Sequence, residues 1–143
     1  MAQIIKTTNR AAGFTLIEVM VVCAIVAILA AIAVPAYTRY VQRGDVVEGT
    51  QALAQYRVQM EQYYQDNNTY ANGGNCGAPI PTLVNFTLAC ATGNAGQTYV
   101  ATATGKSTTL LNNFIYTIDE TNDQATTSTG SWGLSSTTAW IVR

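Results

Sequence analysis

Hydrophobic positions in this chain are concentrated near the start, in one almost uninterrupted run. From Gly13 to Pro35 the sequence reads GFTLIEVMVVCAIVAILAAIAVP, and Glu18 is the one charged residue between Arg10 and Arg39. Phe14 to Val34 predicts a helix of about 31 Å, which matches a hydrocarbon core of about 30 Å. As a buried core helix it would need burial on all sides, more than the rest of a small chain supplies. A secretory signal fits poorly, because such apolar regions last about 7–15 residues and end at a small-x-small site. After Pro35 the pattern becomes amphipathic. Val46, Gly49, Leu53, Tyr56, Met60 and Tyr63 recur at spacings of 3, 4, 3, 4 and 3, one stripe of a helix suited to packing on a sheet. Asp45, Glu48, Gln51, Gln55, Gln59 and Gln62 lie mostly off that stripe. Gln65-Asp66-Asn67-Asn68, followed by Gly73-Gly74, marks the stop. A continuous helix from Phe14 to Asp66 would extend about 80 Å, with Pro35 expected to kink it by removing one backbone hydrogen bond.

Beyond residue 68 the period shortens to two. Gln97–Thr104 alternates Tyr99, Ala101 and Ala103 against Val100, Thr102 and Thr104. Phe114–Ile118 alternates Phe114, Tyr116 and Ile118 against Ile115 and Thr117, and residues 119–123 read as a turn into a third strand, Gln124–Ser128. The expected fold class is α+β: a long N-terminal helix packed on a small meander of three or four antiparallel strands. Trp132, Trp140 and Ile141 are expected to close one side of its core. The chain thus divides into residues 1–13, a polar leader; 14–34, the apolar helix; 35–67, the amphipathic helix; and 68–143, a β head.

Composition turns this division into chemistry. The 143 residues are 48% hydrophobic but only 10% charged, with net charge −1 and no histidine. Disorder by charge excess is excluded, as are a histidine-dependent metal site or catalytic triad. Seven Lys and Arg spread over the whole chain do not form the broad basic face of a nucleic-acid binder. Glu, Asp and Cys form no recognisable active site, so neither enzyme activity nor a cofactor or metal is expected. The head carries five charged residues and sixteen threonines, as an exported, low-charge surface would. Cys76 and Cys90 sit in a Gly- and Pro-rich segment between helix and sheet. Oxidised, they would close a loop of about 15 residues and stabilise a small head by about 3 kcal/mol. Two thiols without histidine disfavour zinc, and no basic neighbour activates them as reactive thiols. Cys23, within the apolar run, reads as a small buried apolar residue. The leader MAQIIKTTNRAAG carries Lys6 and Arg10, which by the positive-inside rule stay cytoplasmic and send the bulk of the chain outward.

Glu18 is the most informative residue. A carboxylate within a membrane span is costly and marks function by default; the bland alternative is that it lies near the end of the span and reaches the interface. Its surroundings, a short basic leader and then Gly13-Phe14-Thr15-Leu16-Ile17-Glu18, an apolar helix and Ala33-Val34-Pro35-Ala36-Tyr37, resemble the N-terminal signature of type IV pilins. The resemblance implies a pilin fold and a defined history. A prepilin peptidase would cut between Gly13 and Phe14 and N-methylate Phe14. Side-chain charge would then move from −1 to about −3, since Lys6 and Arg10 leave with the leader. Glu18 would neutralise the N-terminal amine of Phe14, in its own or a neighbouring subunit, and so fix axial register. The precursor would sit in the inner membrane, N-terminus cytoplasmic and head periplasmic, until an assembly platform builds homologous subunits into an extracellular helical filament. In the family the region before the proline can lose helicity in filaments, where many members carry a glycine; this chain has none between Gly13 and Gly44.

The head pattern YxxN…C…F…C…YxxxAT…FxYxID…W…W is similar to small minor pilins of Gram-negative bacteria. It departs from them where a second cysteine pair would end beside the C-terminal Trp, since Thr138-Ala139-Trp140 stands there. The implied function is a major or minor subunit of a type IV pilus, serving motility, adhesion or DNA uptake. A pseudopilin of type II secretion shares the same N-terminal signal, though a disulfide-bearing, Thr-rich head favours the pilus. A DNA receptor of the competence pilus would need a basic stripe, and the head offers Lys106 and Arg143, with Arg57 on the helix. DNA binding by this subunit alone is therefore disfavoured.

Overall fold

The computed structural model of the protein describes residues 13–142; the leader with Lys6 and Arg10, and Arg143, lie outside the described residues. Helix α1 spans Leu16–Asn67 and runs through Pro35, which offers no N–H to the carbonyl of Ala31. The helix starts two residues later than the apolar run predicts and ends one later. It ends on Asn68, which takes the left-handed φ of 55° that asparagine tolerates, while its N–H donates to the Tyr64 carbonyl at 2.7 Å. The chain forms two compact units, residues 1–37 and 38–143. In the first, every described residue is exposed. An apolar helix exposed along its whole described length does not fit the core-helix alternative for this segment.

The second unit packs the stripe of α1 against a sheet. Two short strands, β1 (Ala71–Asn72) and β2 (Asn75–Cys76), make a hairpin. Four longer ones, β3 (Phe86–Gly93), β4 (Thr98–Gly105), β5 (Phe114–Asp119) and β6 (Gln124–Thr129), form an antiparallel sheet in sequence order. Ala101 at its centre lies opposite Cys90 on β3 and Ile118 on β5. The period-two pattern decides which residues face inward: Tyr99, Ala101 and Ala103, then Phe114, Tyr116 and Ile118, meet Val46, Leu53, Tyr56 and Met60 of α1. Trp132 and Trp140 pack half-buried against this core. Tyr63 closes the stripe only half-buried, its ring lying against Gly77.

Two expectations need correction. Cys90 does not lie in a loop between helix and sheet. It sits in β3, a strand the Gly- and Pro-rich reading of that segment passed over, although Phe86 and Leu88 alternate there against Thr87 and Ala89. The last strand also runs to Thr129, with its register shifted between Ile115 and Tyr116. This irregular edge strand has work for its threonines. The buried Thr126 hydroxyl donates to Ala139 O at 3.0 Å and accepts the Ile141 N–H at 2.9 Å, and the Tyr116 hydroxyl donates to Ile141 O at 2.8 Å. The C-terminal segment is thereby tied over the sheet edge.

Helix and sheet approach closely at Gly49. A Cβ built there would lie 2.8–3.0 Å from ring carbons of Phe86, itself buried and 6.1 Å from the Tyr116 ring. Because Phe86 is buried, Gly49→Val should cost about 1–3 kcal/mol by overpacking, read as a lower denaturant midpoint at unchanged slope. An unchanged midpoint would show that Phe86 can move.

Tyrosine burial gives the head a pH limit. Tyr70 is pushed up to about 12, first by burial and then by its hydrogen bond to and the charge of Glu61; burial also raises Tyr99 and Tyr116. These phenols lose protons from the unfolded chain first, near pH 10, so their contribution is complete below pH 10 and lost as pH rises toward 12. Thermal midpoints should hold to about pH 10 and then fall, less steeply in Tyr70→Phe. A midpoint constant to pH 12 would contradict this.

Candidate functional site

The N-terminal end of α1 assembles the residues that the sequence singled out. Thr15 caps the helix: its hydroxyl accepts the Glu18 N–H at 3.3 Å, and its carbonyl accepts the Val19 N–H at 3.3 Å. Thr15-Leu16-Ile17-Glu18 has the spacing of a capping box, a signal the sequence reading missed, and a carboxylate in the first turn suits the helix dipole. Glu18 thus has a local structural role besides any assembly role. Phe14, Glu18 and Val22, one turn apart, line a shallow concavity with Val19 and Cys23. Phe14 is 81% exposed, and no cation faces Glu18 among the described residues. With residues 1–13 attached, the nitrogen of Phe14 is a neutral amide; only cleavage at Gly13–Phe14 would make it a charged amine. Cys23 is free and exposed, an exterior position in this chain alone. The 52-residue α1 includes a window long and apolar enough to cross a membrane, and none of that window is buried.

The predicted cysteine pair comes together as a disulfide, Cys76 of β2 to Cys90 of β3, with Cα atoms 6.1 Å apart. No group of three or more His, Cys, Asp or Glu able to hold a metal occurs among the described residues. The cations named for a DNA role do not line up. Lys106 Nζ donates to Leu83 O at 2.6 Å, and Arg57 is half-buried, with its Nε out of contact with solvent and unpartnered. The open basic site is instead made by residues the sequence reading did not select. Arg39 and Arg43 line a pocket of about 250 Å³ with Ser131, Trp132 and Leu134.

Comparison with known proteins fits this architecture. A prokaryotic N-terminal methylation motif matches residues 8–34. A family model described as type IV minor pilin ComP, DNA uptake sequence receptor, matches residues 35–130, more than half of the chain. The chain belongs to the type IV pilins. This pilin is 41% identical over 98 residues to the fimbrial protein EcpC of Eikenella corrodens, a match covering 67% of the chain and 63% of the relative. It is 36% identical over 83 residues to prepilin peptidase-dependent protein D of Escherichia coli K12, covering 57% of each. It is 42% identical over 67 residues to the type IV major fimbrial protein FimA of Dichelobacter nodosus, covering 47% of the pilin and 38% of the relative. The pilin thus spans less than two thirds of the length of each of these relatives. A solved type IV pilin from Shewanella oneidensis is similar at 10% identity and a TM-score of 0.48, over 58% of this pilin and 89% of that chain.

Proposed function

We propose that this pilin is made as an inner-membrane precursor, cut between Gly13 and Phe14, methylated on Phe14 and assembled as a subunit of a type IV pilus. One observation carries the reading: the methylation motif matches residues 8–34, and within it Leu16 to Val34 form an exposed apolar helix that continues as the stripe-bearing half of α1. Such a surface is stable in only two settings, a bilayer and a bundle of like helices. The same helix serves as anchor first and as filament core afterwards. Fimbrial relatives support a pilus over a secretion pseudopilus. Mass spectrometry of sheared filaments tests the proposal: an N-methyl-Phe14 peptide is expected in the filament fraction. An intact Met1–Gly13 leader on the surface form would overturn it.

A second reading, that the subunit contacts DNA during uptake, is favoured by the description of the matching family model. The charge count that disfavoured this role for the isolated subunit overlooked Arg39 and Arg43. Deleting the chain should then reduce DNA uptake while leaving filament number unchanged. Loss of filaments in step with uptake would return the chain to a purely structural role.

A further inference from the structure

The two ends of the pilin head carry opposite charge. At one end Arg39 and Arg43, one helical turn apart, are exposed and have no hydrogen-bond or ion-pair partner among the described residues. Their pocket has a fixed wall. The Trp132 indole donates to Gln42 Oε1 at 2.9 Å and meets the Phe114 ring edge-on, with centroids 4.9 Å apart. Gln42 is buried and held in turn by its donation to Leu110 O at 2.7 Å. At the other end lies the β5–β6 turn with Asp119, Glu120 and Asp123. Its place is set by Glu120, which accepts the Tyr99 N–H at 3.2 Å, and by Tyr70, whose ring lies tilted against that of Tyr99 with centroids 4.9 Å apart and whose hydroxyl donates to Glu61 at 3.1 Å. From Gln42 to Glu61 the helix rises about 28 Å. Asp66, in the last turn of α1, adds another carboxylate there.

We infer that the Arg39–Arg43–Trp132 pocket receives the acidic β5–β6 turn of a second copy of this chain, a contact that rests on the filament reading above. The turn is preformed for it. Asp119 Oδ1 accepts the N–H groups of Thr121 at 3.0 Å and Asp123 at 2.9 Å and the Thr121 hydroxyl at 2.8 Å, while Asp123 is exposed. Guanidinium groups match carboxylates in two-point geometry, and the Trp132 side chain, which lines the pocket, would shield that pairing from water on one side. Donor and acceptor surfaces lie on different ends of one subunit. Between copies held in parallel by their N-terminal helices the contact therefore runs head to tail and repeats along an open helical array. Duplex DNA is a poorer occupant. Two guanidinium groups neutralise few phosphates, and the carboxylates of the opposite end would repel the strand as it ran along the head.

Disulfide trapping in the full chain tests the contact. In a Cys23→Ala background, Arg43→Cys together with Asp123→Cys should give covalent multimers in sheared filaments that collapse to monomer on reduction, and neither single variant should. Independently, Arg43→Asp should lower the chain in the sheared fraction several-fold, and Arg43→Asp with Asp123→Arg should restore it. Absence of cross-links while the methylated Phe14 peptide persists in filaments overturns the contact and leaves the filament reading intact. Loss of duplex-DNA binding in Arg43→Asp, not restored by Asp123→Arg and with filament content unchanged, assigns the pocket to DNA and also overturns it.

Discussion

Glu18→Val is expected to yield a chain that is cleaved, methylated and retained in the membrane, yet enters filaments at less than about a tenth of the normal level. The size follows from electrostatics. A buried ion pair adds little net stability, but removing one partner strands the other charge at a cost of about 3–5 kcal/mol. On the proposed reading the stranded group would be the Phe14 amine in an apolar helix bundle. The structure adds a competing account, because Glu18 also stands three residues after its cap, Thr15. Losing a favourable first-turn charge would cost about 0.3–1 kcal/mol, too little for such an effect on assembly. Glu18→Gln separates the two: it keeps a side chain able to close the capping box and removes the charge. If pairing with Phe14 matters, Gln behaves as Val does, and the membrane-to-filament ratio from immunoblots of sheared and cell fractions rises for both. Near-normal incorporation of Glu18→Gln would reduce Glu18 to a helix-capping residue.

What the sequence reveals of this molecule follows the range over which each signal acts. The signature from Gly13 to Glu18 is local, so composition and spacing expose it, as does the helical stripe from Val46 to Met60. Strands β4 and β5 are legible because Tyr99 and Phe114 anchor alternations whose partners are buried nearly without exception. Strand β3 is harder to see. Its inward positions are Phe86, Leu88 and a cysteine, its outward ones are small, and Pro79, Pro81 and Gly77 before it imitate a loop. The basic pocket was not legible at all, because Gln42 and Trp132 are 90 residues apart and only the packing of β6's continuation against α1 joins them. The abundance of threonine was visible as composition, whereas the use of Thr126 to tie the C-terminal segment needs the register of β6.

The second large effect concerns the disulfide. Replacing both Cys76 and Cys90 by serine is expected to destabilise the head by about 3 kcal/mol, the loop-closure value for about 15 residues. For a unit of this size that lowers the thermal midpoint by about 12–20 °C. The native contacts left to the segment explain why little compensates. The β1–β2 hairpin has only two residue pairs. Beyond it the chain is held by Gly77 N–H to Tyr70 O at 2.8 Å, Tyr56 hydroxyl to Ala78 O at 3.2 Å, and Ala78 N–H to Met60 sulfur at 3.4 Å. Each of these is worth on the order of 1 kcal/mol or less and forms only once the segment is already in place. The bond joins β2 directly to the outer strand β3, so its loss releases both the hairpin and the sheet edge. Circular dichroism of the detergent-solubilised chain should show the head melting early while the apolar half of α1 keeps its helical signal. The effect is larger in cells, where a partly unfolded head is cleared by proteases. A midpoint shift under about 4 °C would mean that the hairpin and the Tyr56 and Met60 contacts hold the segment by themselves, making the cysteine pair dispensable to the fold.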